Sequence, residues 1–129
     1  MGFQFGLRKT LPLSRDKIWD FLFSERGLGI WLGRLTTGFE IKKPYETEDG
    51  IRGFVRVLNP NSHIRINWRK KEWENISTLQ IRVISQKENK ATLAIHQEKL
   101  LDPEQRAEMK EHWDTIMTKL SQELNRFSS

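Results

Sequence analysis

Cysteine is absent from the 129 residues, so neither a disulfide nor a thiolate ligand to zinc is available. A reducing compartment is compatible with that composition. No apolar run approaches the roughly 20 residues that a membrane-spanning helix needs. The opening MGFQFGLRKT lacks a basic segment leading into an apolar one, as a secretory signal would have. Myristoylation calls for a hydroxyl residue at position 6, where this sequence has Gly6. These absences lead to the expectation of a cytoplasmic protein with no membrane span. Acidic residues are the scarcer charge, 17 against 22 Lys and Arg, and the formal charge is +5. Such an excess favours anionic partners only where it is gathered on one surface. The length suits one compact core, and a single domain over residues 1–129 is expected.

Chemistry-bearing patterns are equally sparse. His63, His96 and His112 fall on separate predicted elements without metal-ligand spacing. No serine stands in a Gly-x-Ser-x-Gly elbow. The stretch GLGIWLG has one residue too many for a dinucleotide fingerprint and follows a helix instead of a strand. Glu72 and Glu74 flank Trp73 beside Lys70 and Lys71, a pattern that reads as a solvated, self-compensating tip before it reads as an acid–base pair. No catalytic residue, metal ligand or cofactor is assigned on these grounds.

What the sequence does carry is periodicity. FQFGLRKTL alternates Phe3, Phe5 and Leu7 with polar or small residues, the period of a half-buried strand. Ser14 suits the N-cap of a helix over SRDKIWDFLF, and ERGLGIWLG predicts a second, single-turn helix weakened by Gly27 and Gly29. Period two then predicts strands over 36–42, 51–59, 63–70, 76–85 and 90–99, with turn signals between them. Short connections make these an antiparallel meander. Asp102 as N-cap, Pro103 and Glu104 open a final helix. Its apolar stripe runs through Met109, Trp113, Ile116, Met117, Leu120, Leu124 and Phe127. The expected architecture is α+β, a curved antiparallel sheet wrapped around that helix.

Unbroken alternation would put Val55, Val57, Ile64, Ile66, Trp68, Leu79, Ile81, Val83, Leu93 and Ile95 on the inner face. The outer face then gathers arginines. With Asn59 and Ser62 flanking a two-residue turn, Arg56 faces Arg65 and Arg52 faces Arg69, and Arg82 joins them on the same surface. Like charges directly opposite one another are destabilising. Such a face is either a plain solvated layer or a docking surface for an acidic protein, since guanidinium forks bind carboxylates. Nucleic acid is disfavoured, because the aromatics available for stacking reduce to Phe54 and Trp73.

The order of elements, with SRDKIWDFLFSERGLGIWLG, GFVRVLNPNSHIRINW and EHWDTIMTKLSQEL, resembles the START-like (SRPBCC) superfamily and its helix-grip, birch-pollen-allergen-like fold. Within it the chain is most similar to the family named for the activator of the heat-shock chaperone ATPase, C-terminal domain type. That resemblance implies a cavity between sheet and long helix. Its lining would be Trp31, Ile66, Trp68, Leu79 and Ile81, with Leu93, Ile95, Met109, Trp113 and Met117 from the last strand and helix. The same residues equally describe a filled core. Three functions follow as expectations: a non-enzymatic domain that binds a small apolar ligand or protein client, a chaperone-cofactor-like module using the arginine face, and a cyclase or hydrolase of the same fold.

Overall fold

A computed structural model describes residues 2–126. Strand β1 (Phe3–Leu11) leads into helices α1 (Arg15–Leu22) and α2 (Glu25–Trp31). Strands β2 (Pro44–Glu46), β3 (Arg52–Asn59), β4 (His63–Trp68), β5 (Ser77–Lys87) and β6 (Lys90–Leu100) follow, and α3 (Pro103–Asn125) closes the chain. The six strands form one sheet in the order β1-β6-β5-β4-β3-β2, every pairing antiparallel. This is the α+β helix-grip arrangement expected from the sequence. Phe127, which the pattern adds to the helical stripe, lies outside the described residues.

Local signals explain the helices. Ser14 accepts from the Lys17 N–H, Ser24 from Gly27 and Asp102 from Gln105, so each helix begins with an orphan donor satisfied. The α2 helix is seven residues long, not the single turn expected. Gly27 is the reason: a Cβ there would stand 1.8 Å from the Phe21 carbonyl oxygen, so the glycine lets α2 turn tightly against the end of α1.

Two strand expectations need correction. Residues 36–42 are not a strand. Phe39 packs inward against Trp31 and Tyr45, and the segment is tied at its ends: the Thr36 N–H donates to the Glu46 carbonyl, the Glu46 N–H donates to the Thr37 hydroxyl, and the Lys42 N–H donates to the Val55 carbonyl. Alternation is present there without a continuous ladder of strand bonds. The β3–β4 hairpin also has a different register. Its turn holds three residues, 60–62, with Asn61 at φ 63°, and Asn59 pairs with His63. A bulge between Val55 and Val57 then absorbs the extra residue, so Val57 and not Arg56 faces Arg65. Val57 consequently turns outward at 36% exposure, and Leu58 takes the inward place. Beyond the bulge the Arg52–Arg69 pairing holds, with reciprocal backbone bonds of 3.1 and 3.0 Å.

The core lies between the inner face of the sheet and helices α1 and α3. Val55, Ile64, Ile66, Leu79, Ile81, Leu93 and Ile95 meet Met109, Trp113, Leu120 and Leu124, all buried. Trp73, expected in an exposed tip, is also buried and packs edge-on against Trp68 at 5.2 Å.

Candidate functional site

At one end of the core, α2, the β2–β3 turn, the end of β4 and α3 leave a cleft of about 380 Å³. Its apolar walls are Ile30, Trp31, Leu32, Ile51, Trp68 and Ile116, and its polar groups are Asp49, Lys70, Glu72 and His112. The local sequence builds it piece by piece. The capped α2 delivers Trp31, whose indole N–H is fixed by the Leu22 carbonyl at 2.8 Å. Strand β4 ends at Trp68 with the ring inward, and the following residues turn back toward α3, where Lys70 Nζ meets Glu108 Oε2 at 2.5 Å. His112, one turn beyond Glu108, packs between Trp68 and Trp113, tilted to the first and edge-on to the second, with ring centroids 5.7 and 4.8 Å away.

Two buried nitrogen atoms, on side chains that border this cleft, stand out. Trp68 is 1% exposed, yet its Nε1 has no hydrogen-bond partner among the described residues, and neither has His112 Nε2. Burial holds the His112 imidazole below the usual histidine range; Lys70 pushes in the same direction and Glu108 in the opposite one. The ring is therefore neutral near pH 7. A neutral imidazole can both donate and accept.

Of the residues expected to line a cavity, Trp31 and Trp68 border the cleft. Ile66, Leu79, Ile81, Leu93, Ile95, Met109, Trp113 and Met117 sit deeper, buried against one another. Beneath Trp113 the interior carries a closed relay instead: Trp113 Nε1 donates to Gln97 Oε1 at 2.8 Å, Gln97 Nε2 to Ser77 Oγ at 2.9 Å, and Ser77 Oγ to the Trp68 carbonyl at 2.5 Å. Asp49, Ile51, Lys70, Glu72, His112 and Ile116 complete the cleft, and the sequence pattern does not single them out as its lining. They come from turns and from the flank of α3, where no strand period marks an inward side chain. The i, i+4 spacing of Glu108 and His112 is the one signal available.

The outer face of the sheet is the second candidate. Cross-strand register sets His63, Arg82, Ala94 and Arg8 in one row, and Arg65, Gln80, His96 and Gly6 in the next. Arg65 donates to Gln80 Oε1 at 2.8 Å. Among the described residues, none of Arg8, Arg52, Arg56, Arg65, Arg69 and Arg82 has a carboxylate within ion-pair distance. Glu98 is taken by His96 at 3.3 Å. Burial first, then the Arg82 and Arg65 charges, hold His63 below its ordinary range. Arg52 and Arg69 stand apart from Arg65 and Arg82, beside Lys99 and the exposed Phe54 and Ile76. Arg8 joins the face from β1, a strand whose outer side the sequence pattern leaves unassigned.

Comparison with known proteins fits this picture. The family model described as activator of Hsp90 ATPase homolog 1-like protein matches residues 12–125. DynU16, from the dynemicin biosynthetic locus, superposes with TM-score 0.82 at 14% identity, covering 95% of this chain and 47% of its own. This chain therefore spans about half the length of DynU16. The Aha1 dimer from Colwellia psychrerythraea gives 0.77 at 16% identity, over 95% of this chain and 96% of that one. An HSP90 activator from Plasmodium falciparum gives 0.66 at 16% identity, over 77% and 74%. Identities this low establish the fold. No curated protein matches by sequence. No helix among the described residues is long and apolar enough to cross a membrane.

Proposed function

The chain belongs to the family of activator of Hsp90 ATPase homolog 1-like proteins, and from that premise we propose that it is a non-enzymatic binding domain holding a small apolar ligand in the cleft between α2, the end of β4 and α3. The observation that carries this reading is a concave space of about 380 Å³, lined by Trp31, Trp68, Ile51 and Ile116 together with polar side chains. The volume lies within the range of small-molecule sites, and the indole and aliphatic walls face the polar groups of Asp49, Lys70, Glu72 and His112, which would fix orientation. Its test is thermal. A ligand that binds only the native state at about 100 times its Kd adds about 2.7 kcal/mol of stability and raises Tm by several degrees. Ile116→Trp, which fills the cleft, should remove the shift. A panel of neutral aromatic and aliphatic compounds producing no shift in the unsubstituted chain overturns the reading.

A second reading has its own support. The guanidinium groups of Arg8, Arg65 and Arg82, which have no carboxylate partner among the described residues and are grouped on one sheet face around His63, suit docking of an acidic protein surface in the manner of a chaperone cofactor. Arg65→Glu with Arg82→Glu should abolish capture of an acidic partner while leaving the thermal midpoint in place. Capture that survives both charge reversals excludes this face as the dock.

A further inference from the structure

We propose that the cleft selects neutral apolar molecules bearing one hydrogen-bonding oxygen, a hydroxyl or a carbonyl, held by the Trp68 indole N–H and the His112 imidazole, and that it rejects the corresponding carboxylates. The inference rests on the ligand-binding reading and names the ligand's chemistry.

Three observations converge on it. The first is the donor. An indole N–H carries no lone pair to share, so the only partner that satisfies Trp68 Nε1 is an acceptor. That nitrogen is buried and without a partner among the described residues, whereas the N–H groups of Trp31 and Trp113 are each bonded within the protein at 2.8 Å. A buried donor left unpaired costs about 1–3 kcal/mol, and a ligand oxygen placed against it recovers part of that cost. Second, His112 borders the same space with Nε2 equally unpartnered. As a neutral ring it accepts from a hydroxyl in one tautomer and donates to a carbonyl in the other, so both oxygen types fit.

Charge supplies the third. Asp49 and Glu72 line the cleft, and the cation that borders it, Lys70, is already bonded to Glu108 at 2.5 Å. Two lining carboxylates thus stand against one ammonium that Glu108 already engages. An anionic ligand would lose its hydration and face like charge there, so a carboxylate is selected against. A plain hydrocarbon would fill the walls and leave Trp68 unsatisfied.

The experiment uses the intact chain and four probes of one size: naphthol, acetylnaphthalene, naphthalene and naphthoate. Affinities are read from tryptophan fluorescence at about pH 7.5, where His112 is neutral. Naphthol and acetylnaphthalene should bind about tenfold more tightly than naphthalene, the worth of one net hydrogen bond, and naphthoate should bind most weakly. Trp68→Phe should cost the two oxygenated probes that factor and leave naphthalene unchanged. Naphthalene binding as tightly as naphthol overturns the proposal, and naphthoate binding tightest does so too; either result leaves the ligand-binding reading standing. Failure of all four probes to bind removes that reading itself. The probe series needs no variant, so the comparison among the four compounds decides the matter even where Trp68→Phe does not fold.

Discussion

Trp113 and Gln97 meet in the sealed interior, the indole Nε1 donating to the amide oxygen across 2.8 Å with both side chains fully buried. The bond ties α3 to β6, and Gln97 passes the connection on to Ser77 at the start of β5. Gln97→Met keeps the volume but strands the Trp113 N–H. The expected loss is about 2–3 kcal/mol in urea denaturation, with an unchanged slope. Adding Trp113→Phe removes the stranded donor, so the double variant should be more stable than the sum of the two single losses implies.

Gly27 and Gly29 share a helix but not a fate. A Cβ on Gly27 would strike the Phe21 backbone oxygen at 1.8 Å, whereas around Gly29 nothing lies within 4 Å. Gly27→Ala should therefore cost more than about 3 kcal/mol, because backbone and not a flexible side chain must move. Gly29→Ala should stabilise the protein by about 0.5–1 kcal/mol through helix propensity. Thermal denaturation of the two variants in parallel checks both signs.

These contrasts mark what is legible in the sequence. Period two locates β1, β5 and β6 because each has a core beneath it and a paired strand beside it. It fails over 36–42, where Phe39 turns inward and the backbone bonds to β2 and β3 at its two ends without forming a ladder. It also fails at Val57, since a single bulge residue flips every later side chain and leaves no mark in composition. Lys70 and His112 fall outside any period, because turns and helix flanks place them. The arginines stand on the expected strands, but their pairing depends on a turn of three residues where Pro60-Asn61 suggests two.

His112 makes stability depend on pH with a definite sign. Its folded pKa is lowered by burial first and by Lys70 second, so below the unfolded value of about 6.5 the unfolded chain binds more protons than the folded one. Stability is full above that value and falls as the pH drops toward the depressed folded pKa. His112→Gln should flatten part of the loss between about pH 7 and pH 5. Lys70→Met should move the His112 ring titration, followed by NMR, upward, and Glu108→Gln should move it down. A titration indifferent to both changes contradicts the contact.

Tyr45 closes the far end of the sheet by a different device. Its hydroxyl donates to the Asn67 carbonyl at 2.6 Å, passing where β3 and β4 part, and burial pushes the phenol well above its ordinary range. Only a glycine permits this. A Cβ at Gly53 would stand 1.8 Å from the Asn67 oxygen and 3.0 Å from the Tyr45 hydroxyl. Tyr45→Phe should cost about 1–2 kcal/mol by stranding the carbonyl. Gly53→Ala should cost more, and equilibrium urea denaturation ranks the two.

Arg82 lies beside His63 on β4, and nothing acidic among the described residues offsets it. Arg65 stands diagonally across from Arg82, and like charges so placed cost a few tenths of a kcal/mol, so Arg82→Gln should stabilise the isolated protein by about 0.2–0.5 kcal/mol, more at low salt than at high. The His63 titration should rise at the same time, because one of the charges holding it down is gone. A gain in stability on replacement would accord with the proposed docking of an acidic partner on this face. Arg82→Gln that lowers stability, or leaves His63 unmoved, would mean that the face is already neutralised, and the docking reading would lose its basis.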